Sequence, residues 1–347
     1  MRDQAKMLGK VGSMPWQRCR TALKAGATRL LTRLPVSDIL RRRQTADGGI
    51  SVLVYHTLGP DGEDFDAWTV LEETAFRAQI EMLRAHYEIV GLDEALQGLG
   101  TQSEKPRAVL TFDDGECGLH RHLLPIVEEL RIPVTIYFAT EQIETQEPYW
   151  FDVLMNALQT TEPHVIDLSE FGLPPVTVGA TRGVQNWLAI SEILEHLKLL
   201  APDERTSAVD EALRQAPNGA RPAFTPMKPL TKEQLSDLAR NDLITIGSHT
   251  HCHSLLDRIP LSEAEASVRK SMSLLREWTG RDIKHFAYPN GNYTPALEQT
   301  LAGIGLSSAT IGENRLWRAE DSLFAIPRVF VGRYDTPERL ELRLVGI

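Results

Sequence analysis

Ala108-Val109-Leu110-Thr111-Phe112-Asp113-Asp114-Gly115-Glu116-Cys117-Gly118 runs from an apolar stretch straight into two adjacent carboxylates and a glycine. Ala108 to Phe112 is short and β-prone, which argues a strand rather than a helix, and Gly115 allows a sharp turn behind it at low steric cost. The strand therefore delivers two acids to the edge of a sheet. Neighbouring Asp side chains repel each other, so a cation beside them is the economical arrangement. One carboxylate can bind a metal ion while the other stays free as a base. A solvated Asp-Asp-Gly turn closing a strand is the competing reading of the tripeptide, and the histidines downstream decide between the two.

Those histidines stand in Ile246-Gly247-Ser248-His249-Thr250-His251-Cys252-His253, again behind an apolar run, Leu243 to Ile246. His249 and His253 are four apart, so a helical turn would put both on one face, directed at one ion, with His251 turned elsewhere. Joined to Asp114 they form a set of two imidazoles and one carboxylate. Such a set leaves positions open for water and substrate, as a catalytic rather than a closed structural site does. Cys252, one position from His253, faces away.

The coarse order along the body is strand then helix, repeated. Strands are expected at Ile50 to Tyr55, Ala108 to Phe112, Val134 to Phe138, Leu243 to Ile246, Lys284 to Ala287 and Ser307 to Ile311, with helices around Glu73 to His86, Leu119 to Leu130, Ser262 to Thr279 and Pro295 to Gly303. This alternation argues a parallel sheet closed or partly closed into a barrel, with the motif loops on the rim where barrel enzymes place their chemistry. Ser262 followed by Glu265 reads as a capping box. Residues 140 to 231 break the repeat and read as a largely helical rim insertion; within it Tyr149 and Trp150 offer flat faces to a sugar ring, or core to the inserted unit.

A third loop, Phe286-Ala287-Tyr288-Pro289-Asn290-Gly291, completes a pattern. Thr111 to Gly115, His249 to His253 and Ala287 to Gly291, in this order between about Ser51 and Val331, resemble the three motifs of the polysaccharide deacetylase family, the NodB homology domain of carbohydrate esterase family 4. The resemblance implies an α/β fold, a distorted or incomplete (β/α) barrel of seven strands, and a hydrolase that removes N-acetyl groups from amino sugars of a polysaccharide, glycoconjugate or lipid-linked saccharide. It implies a divalent metal, zinc first among them, on Asp114, His249 and His253, with Asp113 as the base and a backbone N–H near Gly115 helping an oxyanion. Trp150, Tyr288 and Asn290 are the expected substrate-binding side chains. Two positions depart from the family pattern: Ala287 stands where an arginine usually orients the catalytic aspartate, and Asn290 where an aromatic usually flanks the acetyl pocket. The late histidine motif is also missing. This is similar to a rearranged, exopolysaccharide-deacetylase-like branch in which the first strand carries that histidine, which makes His56 the candidate acid and Arg328 the candidate replacement for the arginine. The same machinery would serve an O-acetyl or formyl hydrolase. A weak or inactive carbohydrate-binding homologue is the rival suggested by Ala287 and Asn290, and the retained Asp113 speaks against it, because a binder needs only metal ligands.

Composition is that of an ordinary globular chain: 347 residues, 42% hydrophobic, mean hydropathy −0.22. Three scattered cysteines, Cys19, Cys117 and Cys252, imply no disulfide framework and suit a reducing compartment. Residues 1 to 48 carry eleven Lys or Arg against three Asp or Glu, a charge of +8 that leaves −18 for the rest of a chain whose total is −10. Nucleic acid is a poor partner for so acidic a body. Trp16, Leu23, Ala27, Leu30 and Leu34 fall at helical spacing among the basic residues, so this extension is expected to form an amphipathic helix able to dock on an anionic membrane surface or pack on the barrel. No secretory or membrane-spanning stretch is evident in the sequence, so a cytoplasmic place, peripheral at the inner face of the membrane, is the expectation.

Overall fold

The computed structural model describes residues 35–63, 65–160, 162–216 and 225–346. Seven parallel strands form the body: β1 (Ile50–Tyr55), β2 (Arg107–Phe112), β3 (Val134–Phe138), β4 (Ile244–Ser248), β5 (His285–Ala287), β6 (Ser308–Ile311) and β7, which is split into Ile326–Pro327 and Val329–Phe330. They follow one another in chain order around a ring. The first piece of β7 pairs with β6 through Thr310↔Ile326, and the second pairs with β1 through Leu53↔Val329, so the split strand closes the barrel. A two-residue strand, Glu88–Ile89, pairs with the lower part of β2, whose upper part pairs with β3. That wedge distorts the ring.

Strands of this kind are buried on both faces, which is why they read as unbroken apolar runs: all six residues of β1 are buried. Alternation then assigns the faces. Leu53, Leu110, Phe112, Ile136 and Phe138 point outward into the large core shared with helices such as Glu73–His86 and Leu261–Thr279. Ile50, Val52, Val109, Tyr137, Ala287 and Ile326 meet inside the barrel. Continuing each inward row in steps of two toward the rim reaches His56, Asp113 and Arg328. The inward register thus supplies the site.

The long helix begins at Leu261 behind Pro260, with no side-chain cap, so Ser262 already sits inside the helix and the expected capping box is absent. The complete box lies at Thr231 and Gln234, starting the helix Lys232–Ala239. The insertion contains helices Trp150–Ala157, Val184–Leu199 and Pro202–Gln215 and also a hairpin, His164–Leu168 against Leu173–Val178. These enclose a second core around Leu154, Ile166, Trp187, Ile190 and Ala208. Of the basic extension, the helix Pro35–Ala46 is described, and it packs on the barrel: Gln44 Nε2 donates to Ser51 Oγ at 2.9 Å, and the buried Arg41 pairs with Glu341. The amphipathic stretch from Trp16 to Leu34 lies outside the described residues. No helix among the described residues is long and apolar enough to cross a membrane.

Candidate active site

The loop after β2 turns on two consecutive left-handed residues, Asp114 (φ 74°) and Gly115 (φ 82°). A side chain at Gly115 would start 2.7 Å from Phe138 Cδ1, so both space and φ demand glycine. The turn sends the two acids apart. Asp113 continues the inward row of β2, while Asp114 swings toward the loop after β4. There His249 and His253 meet it, His249 Nε2 at 3.4 Å and His253 Nε2 at 3.1 Å from Asp114 Oδ1. The two histidines converge through a loop rather than a helical turn: Thr250 (φ 71°) and His253 (φ 52°) are left-handed, which folds the chain back on itself. Non-glycine residues in that region cost free energy and gather at functional sites. His251 turns away to Thr140 and Lys270, and the Cys252 thiol to Ser254 and Ser267.

Three ligand atoms, one from each of Asp114, His249 and His253, lie within 4.8 Å of one another. Ligands about 2.05 Å from a tetrahedral zinc stand roughly 3.3 Å apart, which the 3.1 and 3.4 Å separations match. The second layer fits as well. His249 Nδ1 is 2.7 Å from the Ala287 carbonyl oxygen. A carbonyl only accepts, so Nδ1 holds the proton and Nε2 keeps a lone pair for a cation. Position 287 therefore contributes its backbone. Burial raises the Asp114 carboxyl, but the imidazoles of His249 and His253 outweigh it and hold it well below the ordinary range.

Arg328 sits at the break in β7, buried to 1% exposure. Its Nη1 and Nη2 donate to Asp113 Oδ1 and Oδ2, each at 2.7 Å, and Nη1 also reaches Thr111 Oγ1 at 3.2 Å. The guanidinium lies over the Tyr137 ring, 5.6 Å from its centre. Burial pushes the Asp113 carboxyl up; Arg328, then His249, more than reverse this, so it stays ionised. Asp113 Oδ2 remains 4.0 Å from His249 Nε2. His56, at the end of β1, stands edge-on to Trp68 at 5.5 Å, and its Nδ1 has no hydrogen-bond partner among the described residues. Burial lowers its pKa, opposed by the charges of Asp114 and Asp113.

The expected substrate contacts fare differently. The Gly115 N–H donates to the Asp113 carbonyl at 3.0 Å and is not free for an oxyanion. Tyr288 is fully buried, its hydroxyl donating to Phe324 O, and offers no face to a sugar. Asn290 is exposed and tied to Asn292 and to Lys198 of the insertion. Trp150 packs on the second core under Arg205. The rings against His253 are instead Tyr149 at 5.1 Å and Phe151 at 5.4 Å, themselves stacked at 4.8 Å. Tyr149 also donates its hydroxyl to the carbonyl of Asp114 at 2.6 Å, fixing the left-handed ligand from behind. Tyr149→Phe should weaken metal affinity about tenfold, the scale of losing a group that orients a ligand; chelator competition reads it, and unchanged affinity would detach Tyr149 from the site.

Two buried acids also escaped the sequence reading. Glu116 and Asp152 share a hydrogen bond beside Asp114; burial first, then the Asp114 charge, pushes Glu116 up to about 8, while burial, then the charge of Glu116, pushes Asp152 well above its ordinary range. A folded-state pKa above the ordinary 4.5 stabilises the fold fully below that value, and the contribution is lost as pH rises through about 8. Wild-type stability should therefore fall between about pH 5 and about pH 9, and Glu116→Gln should flatten that slope in denaturant titrations. An equal slope in the variant would place its origin elsewhere.

The polysaccharide deacetylase family model matches residues 100–309, more than half of the chain. Among solved structures, the deacetylase PplD of Streptococcus pyogenes in complex with acetate aligns with a TM-score of 0.57 at 14% identity, over 85% of this chain and 98% of that one. A polysaccharide deacetylase from Bacillus cereus gives 0.55 at 13%, over 85% and 68%, and IcaB from Ammonifex degensii 0.53 at 17%, over 85% and 97%. These likenesses concern the fold. No curated protein sequence matches this one. With the family motifs gathered at one rim of a distorted parallel barrel, the chain belongs to the polysaccharide deacetylase family.

Proposed function

We propose that the chain is a metal-dependent hydrolase that removes N-acetyl groups from the amino sugars of a polysaccharide or glycoconjugate. The pair Asp113 and Arg328 carries this reading. A carboxylate held ionised by a two-pronged guanidinium, beside the Asp114, His249 and His253 set but outside it, is placed to take a proton rather than to bind an ion. A divalent ion in that set, zinc by its donor types, would polarise the amide carbonyl and acidify water. Asp113 takes the proton of the attacking water, and Arg328 fixes the direction of its carboxylate. His56 hands a proton to the leaving nitrogen, giving a free amine and acetate. Phe151 and Tyr149 wall the site beside His253.

The test is acetate release from a panel of N-acetylated glycans, with and without chelator, alongside O-acetylated and N-formylated counterparts. Chelator-sensitive release from the N-acetyl series is the expected result. Release from esters alone would make the chain an esterase, and glycan binding with no release at all would leave a carbohydrate-binding homologue.

A further inference from the structure

Beside the metal set the rim opens into a cavity of about 390 Å³, within the roughly 300–1,000 Å³ common for small-ligand sites. Its walls include Cys117, Arg121, Pro148, Lys228 and Thr231. Each wall belongs to the rim. Cys117 is three residues beyond Asp114, at most about 11 Å along an extended chain. Pro148 precedes Tyr149, whose hydroxyl holds Asp114. Thr231 begins the helix that runs down to the start of β4, and the loop below Lys228 is stitched to the acid loop by Cys117 N–H to Lys228 O at 2.7 Å and by the bridge Glu116↔Pro229.

What sets this cavity apart is charge. Arg121 and Lys228 have no ion-pair or side-chain hydrogen-bond partner among the described residues, in a body that carries −18 beyond its first 48 residues. Both bear on one wall: burial raises the Cys117 thiol pKa, and Arg121 and Lys228 pull it down. The helix end itself is taken, because the Glu233 carboxylate already accepts from its own N–H and from Thr231. Two like charges facing one hollow repel until an anion lies between them.

We propose that this cavity is an anion subsite, in which Arg121 and Lys228 bind a carboxylate or phosphate carried by a sugar next to the one held at the metal set. The glycan part of this inference rests on the function proposed above; the anion part does not. It is tested by calorimetric titration of the metal-loaded full chain with glucuronate, glucose 6-phosphate and inorganic phosphate. Saturable binding is expected, stronger for whichever acid the subsite serves, unaffected by excess chelator, and weakened about tenfold or more in Arg121→Ser/Lys228→Ser. Thermal unfolding and metal content of that variant should match the parent, since both side chains are exposed. No binding of any probe at millimolar concentration, binding lost with the metal, or binding indifferent to the double substitution would each overturn the subsite. Anion binding without acetate release from any glycan would sink the functional reading alone; acetate release without anion binding would sink only the subsite.

Discussion

Asp114→Ala, His249→Ala and His253→Ala should each empty the metal set and abolish acetate release together. Each removes one of three converging donors, and none has a substitute: the set of Asp114, His249 and His253 is the sole His/Cys/Asp/Glu group of its kind among the described residues. The losses differ in their side effects. Without Asp114 the two imidazoles lose the anion that faces both, and the acid loop loses the side chain that ties it to the loop after β4. Without His249 the Ala287 carbonyl loses its donor. Metal content of the dialysed variants, read by elemental analysis beside turnover, checks all three, and full occupancy in any one removes that residue from the set.

Asp113→Asn and Arg328→Lys should do the opposite, keeping the ion and losing the reaction. General-base catalysis contributes about 10² to 10⁴-fold, so Asp113→Asn should slow turnover by about a hundredfold or more at full metal occupancy. It also strands a buried guanidinium, and breaking a buried pair costs about 3–5 kcal/mol, so a lowered unfolding midpoint accompanies the slow turnover. Arg328→Lys keeps the charge but cannot donate in two parallel bonds to one carboxylate. Turnover should fall while metal and fold remain. Near-normal rates in Asp113→Asn would overturn the base, and near-normal rates in Arg328→Lys would show that charge alone suffices there.

Much of this was legible in the sequence because parallel strands buried on both faces are unbroken apolar runs: Ile50–Tyr55 and Val134–Phe138 fall where the runs fall. The acids and histidines were legible because they end such runs. The route between His249 and His253 was not, since four-residue spacing suits a helix as well as a loop, and only φ at Thr250 and His253 decides. Ser262 matched a capping pattern, yet the helix starts at Leu261 behind Pro260, two residues too early for it. Tyr149 on Asp114, and Glu116 on Asp152, join positions 35 or 36 apart, and no local pattern announces such a meeting. The hairpin at 164–178 was missed because its short strands lie half exposed on an inserted unit rather than in the ring.

The split in β7 bears on the order in which the molecule becomes competent. The Asp114, His249 and His253 set is assembled by β2, β4 and their loops, all earlier in the chain than the seam. The contact between Arg328 and Asp113 spans 215 positions and forms only where the last strand closes the ring onto β1. Contacts of such sequence separation carry the largest loop-closure cost and set the pace of folding. Ring closure and the alignment of Asp113 are therefore a single event, whereas the Asp114, His249 and His253 set can come together in a half-zipped barrel in which Asp113 still points nowhere in particular.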